Sequence, residues 1–125
     1  MHTSILMSIH PRHVLSILDG GKRVEYRRVV NWKPSVNRVM MYSTKPIGKC
    51  WGEFMFDEIL TLDPQELWYR TSGFSGISYT EFNAYFKGKA LANALLIKSV
   101  TSYSKPLSLA DLIGTDKGPQ SWRYL

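Results

Sequence analysis

The sequence has one cysteine, Cys50, no long apolar run, and only 10 acidic residues against 16 Lys and Arg. With no second thiol an intramolecular disulfide is excluded, and no Cys or His pairs stand at the short spacing of a zinc site. Neither a metal nor any other cofactor is therefore expected, and Cys50 reads as a small buried hydrophobe. No stretch approaches the roughly 18 apolar residues that span a bilayer. Met1 to His10 also lacks the basic, apolar and small-residue regions of a secretory signal, so a cytoplasmic protein with no membrane partner is expected. Repeats, low-complexity tracts and Pro/Ser-rich linkers are missing too, which leaves no sign of a domain boundary within residues 1–125. At 125 residues and 44% hydrophobic, the chain can build one core without a disulfide or metal staple.

The excess positive charge is unevenly placed. Residues 1–49 carry nine Lys and Arg against Asp19 and Glu25, a net +7, whereas residues 50–125 carry seven against eight, a net −1. Such asymmetry suits a surface that faces a polyanion, and equally suits a basic solvated face.

Ser4 to Ile9 reads as a short apolar strand. Pro11 then opens a helix of about ten residues, with Val14, Leu15, Ile17 and Leu18 on one face and Gly20-Gly21 as its stop. Lys22 to Val29 reads as a strand that turns Val24, Tyr26 and Arg28 one way and Arg23, Glu25 and Arg27 the other. After a loop holding Trp32 and Pro34, the spacing predicts strands at Arg38–Tyr42 and Gly48–Ile59. Asp63-Pro64 with Glu66, and Ser78 with Glu81, are helix N-termini, the second in capping-box form. Leu91–Val100 is a strand that Tyr103 extends or flanks. Ser108 caps a last helical turn, and Gln120–Leu125 is a closing strand. Mixed strands with short helices and no βαβ rhythm give an α+β barrel with short peripheral helices.

The segment Gly20-Gly21-Lys22-Arg23-Val24-Glu25-Tyr26-Arg27 resembles the ASCH-domain signature G-x-K-x-x-E-x-R, which opens a strand after a helix. The likeness continues through Tyr42-Ser43-Thr44 with Pro46, Gly52-Glu53-Phe54, Ser75-Gly76-Ile77-Ser78 and Tyr85-Phe86-Lys87-Gly88. It implies a PUA-like barrel with a cleft lined by the signature residues and the end of the next strand, and RNA, single-stranded or structured, as the partner.

On that reading Glu25 and Arg27 share a strand face with Lys22 at its mouth, a carboxylate orienting two cations. The alternative is an ion pair on a solvated sheet, which contributes little. Arg28 would snorkel past the rim. Ser43 and Lys45 would reach phosphate or sugar, or else form a plain turn. Trp32 is the best candidate for stacking a base, whereas Trp51, Phe54, Phe82 and Phe86 read as core. Trp122, beside Arg123, either closes the barrel or stands at the cleft. His2, His10 and His13 show no ligand spacing, and His10, near Pro11, reads as a cap or as a residue bordering the cleft.

Three functions follow. The first is RNA binding in a basic cleft by Lys22, Glu25, Arg27, Arg28, Trp32, Ser43, Lys45, Trp122 and Arg123. The second is a small hydrolase. One ASCH branch resembles amidohydrolases that deacylate acetylated cytidine with a Thr nucleophile and a Lys base. Lys22 matches that base, but Glu25 stands where the Thr would be, and a carboxylate is a poor substitute for a hydroxyl. A ribonuclease using Lys22 and Glu25 in acid–base roles stays open. The third is a module for a small ligand or a protein.

Overall fold

In the computed structural model, residues 2–125 are described and form six strands and four helices. In chain order these are β1 (Ser4–Ile9), α1 (Pro11–Leu18), β2 (Val24–Arg27), β3 (Arg38–Ser43), β4 (Lys49–Leu62), α2 (Pro64–Thr71), α3 (Tyr79–Tyr85), β5 (Ala92–Leu107), α4 (Leu109–Ile113) and β6 (Trp122–Tyr124). Each cap the sequence announces is made. The Asp63 carboxylate accepts from the backbone of Gln65 and Glu66, Ser78 accepts from Glu81, and Ser108 accepts from Asp111.

The strands make one mixed sheet in the order β2-β5-β4-β3-β1-β6, with β1 and β3 parallel and every other neighbouring pair antiparallel. Register shifts along β4 between Cys50 and Glu58 let the two longest strands bend, since an inserted residue increases local twist. The bend curls the sheet until its edges, β2 and β6, approach each other. No backbone ladder joins those edges, so the barrel has a seam.

The main core fills the curl with Ile5, Met7, Ile17, Val39, Met41, Phe54 and Leu95. A second cluster packs α2 and α3, through Leu67, Phe82 and Phe86, onto Val24 and Tyr26 of β2. Cys50 is buried with Leu6, Tyr42 and Leu109 under α4, and burial pushes its thiol up to about 11.

Several expectations change. Strand β2 ends at Arg27, and β5 runs on through Tyr103 to Leu107 because β4 is long enough to pair with it. Trp51 stands on the outer face of β4 at 40% exposure, and Leu15 points to solvent from α1. Trp32 lies in the main core, 8% exposed, against Phe56 and Trp122. Both faces of β2 are covered, so Glu25 is buried along with Val24 and Tyr26.

Close packing of α1 on the sheet requires a residue without a side chain at Gly52. A Cβ there would stand 2.6 Å from both the Leu18 side chain and the Thr101 carbonyl oxygen. Gly52→Ala is expected to destabilise the fold by about 1–3 kcal/mol, the usual cost of overpacking. Urea denaturation measures it, and an unchanged midpoint would mean that α1 and β5 do not approach β4 this closely.

Candidate functional site

The chain leaves α1 through a turn in which the Lys22 amide donates to the Ser16 carbonyl at 3.0 Å, and then enters β2. Lys22 is thereby driven inward and is only 3% exposed. Its stem passes over Gly76, where a Cβ would come within 2.6 Å of the Lys22 Cβ and where φ is +68°, so glycine alone suits the position. The ammonium donates to the Ser75 carbonyl at 3.0 Å and lies 4.9 Å from the centre of the Tyr26 ring. That is the one hydrogen bond it makes among the described residues, out of three donors. Burial lowers its pKa, an effect partly offset by Glu25 and Glu81.

Next to it, Arg27 reaches three partners. Its Nη1 donates to the Glu25 carboxylate at 3.2 Å and to the Ser8 carbonyl at 3.5 Å, and its Nη2 donates to the Ser121 hydroxyl at 2.7 Å. Ser8 belongs to β1 and Ser121 precedes β6, so this guanidinium bridges the seam. Both side chains of the pair are largely desolvated, Arg27 at 13% and Glu25 at 7% exposure.

The opposite wall comes from α1 and α3. His10 caps α1 by accepting from the Arg12 amide at 3.1 Å. The Glu81 carboxylate turns to Arg12, bidentate at 2.9 Å, and to His13 Nε2 at 3.1 Å. The capping-box residue thus ties α3 to α1. The Arg12 guanidinium holds Glu81 below the usual carboxylate range, while burial, with Lys22 and Arg12 nearby, lowers His13 below the ordinary imidazole value. Tyr85 accepts from the Arg28 amide at 3.3 Å, and burial raises its phenol. Together Ser8, Ile9, His10, His13, Lys22, Glu25, Tyr26, Arg27, Ile77, Glu81 and Tyr85 line a cleft of about 240 Å³. A larger depression of about 670 Å³ lies between α2 and α3, but it has no buried charge.

The structure brings Lys22, Glu25 and Arg27 together and separates the rest of the expected set. Arg28 leaves the cleft and donates to the Tyr85 carbonyl at 2.8 Å. Trp32 packs in the main core and lines a separate groove of about 640 Å³ with Val30, Pro34 and Met55. Trp122 takes the barrel-closing role, pairing with β1 and donating its indole N–H to Asn31 at 3.2 Å. Arg123 is exposed on β6, and Ser43 is buried at 2% exposure. Lys45 lines a separate groove with Ser8, Thr44 and Lys117. The cleft lining holds two permanent cations, Lys22 and Arg27, against Glu25 and Glu81, and Glu81 is itself taken up by Arg12. His10, weighed from the sequence as a cap or a residue bordering the cleft, does both. Sequence reasoning missed His13, Glu81 and Tyr85, whose only signal was spacing, i+3 from His10 to His13 and i+4 from Glu81 to Tyr85.

Removing one member of a desolvated ion pair strands the other. Arg27→Met is expected to lose about 3–5 kcal/mol of stability, and the Glu25→Gln/Arg27→Met double variant to recover most of it. Denaturant melts of the wild type, Glu25→Gln, Arg27→Met and the double variant test this. A double variant as unstable as the sum of its singles would contradict a coupled pair.

No family model matches the chain. In sequence it is 31% identical over 126 residues to the large ribosomal subunit protein uL22 of Ureaplasma parvum, covering 98% of this chain but 39% of that protein. The chain therefore spans well under half the length of that relative. It is 28% identical over 93 residues to an ASCH domain-containing ribonuclease of Zymomonas mobilis, covering 74% of this chain and 63% of the relative. The crystal structure of ASCH from Zymomonas mobilis superposes with a TM-score of 0.89 at 26% identity, over 98% of this chain and 87% of that one. The signature residues Lys22, Glu25 and Arg27 share one cleft in a fold matched along almost its whole length, and these likenesses support an ASCH domain.

Proposed function

We propose that this ASCH domain binds single-stranded RNA and holds one nucleotide in the cleft between β2, α1 and α3. The observation that carries the proposal is the buried Lys22 ammonium. Because burial lowers its pKa in the fold, the unfolded chain binds that proton more readily, so at neutral pH the charge opposes folding, and the opposition fades only as pH rises toward the ordinary lysine value. An apolar side chain would serve packing equally well. A cation retained there, with two donors to spare, suits an oxygen-rich ligand. The cleft volume, below the roughly 300 Å³ at which drug-sized pockets begin, suits a single nucleotide rather than a duplex. The ribonuclease name of the Zymomonas relative supports RNA as the ligand class.

A second reading, cleavage of that RNA, is favoured by the same name and by His10, Lys22, Glu25 and Tyr85 lining one cleft. Such groups can give and take protons within hydrogen-bond reach of a bound nucleotide. Deacylation of acetylated cytidine is disfavoured, because Glu25 stands where the Thr nucleophile would be and is held by Arg27.

End-labelled single-stranded RNA, duplex RNA and DNA, titrated against wild type and Lys22→Met, test the proposal. Wild type is expected to prefer single-stranded RNA. Lys22→Met is expected to melt at or above the wild-type temperature and to bind at least tenfold more weakly. Equal binding by the two proteins would overturn the assignment of the cleft. Gel analysis of the same samples separates the readings, since fragments made by wild type and not by Lys22→Met establish cleavage, and intact RNA establishes a binding module.

A further inference from the structure

We propose that the groove beside Ser8 is a second, anion-binding subsite, in which Lys45 and Lys117 take the phosphate next to the nucleotide held in the cleft. The ligand is then an RNA strand of two or more nucleotides rather than a free nucleoside. The inference rests on the RNA reading above and extends it beyond the cleft.

The groove, about 330 Å³, lies between the β3–β4 turn, which carries Thr44 and Lys45, and the segment between α4 and β6, which carries Asp116 and Lys117. Both segments are tied to the end of β1. The Thr44 amide donates to the Ile9 carbonyl at 3.1 Å, the Ser8 amide to the Ser121 carbonyl at 2.9 Å, and the Ser8 hydroxyl to the Pro119 carbonyl at 2.6 Å. These bonds fix the two walls relative to each other.

Ser8 lines the cleft as well as the groove. Its carbonyl accepts from Arg27 on the cleft side, while its hydroxyl anchors the groove wall. One residue of β1 therefore separates the depressions, and a strand leaving the cleft over Ser8 enters the groove directly. Lys45 and Lys117 are exposed, and neither has an ion-pair partner among the described residues. Against them the lining offers one carboxylate, Asp116. In the cleft Arg27 is engaged by Glu25, Ser8 and Ser121 and Lys22 by Ser75, whereas the groove lysines have no ion pair among the described residues, so charge attraction for phosphate falls to the groove and recognition of the nucleotide to the cleft.

A length series tests this division. Uridine monophosphate, di-, tri- and hexauridylate are titrated against wild type and Lys45→Ala/Lys117→Ala at several salt concentrations. Both substitutions are at exposed positions, and melting curves check that the variant is folded. Wild type is expected to gain at least tenfold in affinity when a second phosphate is added. The double variant is expected to bind the mononucleotide as wild type does and to lose that gain. Its log–log salt slope for the hexamer should be shallower by roughly 0.7 for each phosphate that the lysines no longer neutralise. A folded double variant that binds hexauridylate with wild-type affinity and slope overturns the subsite while leaving the cleft reading intact. A wild type that binds none of the series overturns the RNA reading and the subsite with it.

Discussion

The Arg27 guanidinium bridges the seam of this barrel. Curling the sheet brings β2 and β6 together without a backbone ladder, and the gap is crossed by Arg27, hydrogen-bonded at once to Glu25, to the Ser8 carbonyl and to the Ser121 hydroxyl. Groups so far out of water must be paired, or the fold bears their full desolvation. The pair fixes where β2 lies against β1, and therefore the width of the cleft. Lys22, three residues before Glu25, enters the same space because the Gly20-Gly21 turn and Gly76 leave it no other path. Seam, cleft and buried ammonium are thus consequences of one short segment.

Around that segment the helices act as braces. Glu81 draws α3 onto α1 through Arg12 and His13, and α2 and α3 press Tyr26 from the other side, where its hydroxyl bonds to Thr71 at 2.6 Å. Because Thr71 donates its own proton to the Leu67 carbonyl, the Tyr26 hydroxyl is the donor of that pair. The cleft side chains are consequently held from several directions, the condition for recognising a ligand without first ordering the site. The excess positive charge of the first 49 residues lies mostly outside this framework. Arg12 is bound to Glu81, Arg28 to the end of α3 and Arg38 to Glu53, so a large part of it is structural.

The sequence made the local features legible and left the long-range ones hidden. Helix starts at Asp63, Ser78 and Ser108 were readable because a cap joins residues two or three apart. The strand at Val24–Arg27 and the shared side of Glu25 and Arg27 were readable from a spacing of two that a pleated strand turns to one side, while Lys22 at their mouth was readable from the likeness to the ASCH signature. The burial of Trp32 was hidden because its loop is polar and basic in sequence, while the residues that bury it, Phe56 and Trp122, are 24 and 90 positions away. His13, Glu81 and Tyr85 escaped for the same reason, since nothing in the chain announces that α3 packs beside α1. The charge of the cleft was not legible because a count of charges along a chain does not say which of them are already paired.

Entry of RNA into the cleft that Arg27 closes is tested most directly by amide hydrogen exchange of the protein alone and saturated with single-stranded RNA, because exchange reports protection segment by segment. Protection is expected in Ser8–His13, Lys22–Arg27 and Ile77–Tyr85, the three stretches that line the cleft. Protection on the depression between α2 and α3 or on the outer face of β4 around Trp51, with Ser8–His13 and Lys22–Arg27 unchanged, would contradict binding in the cleft.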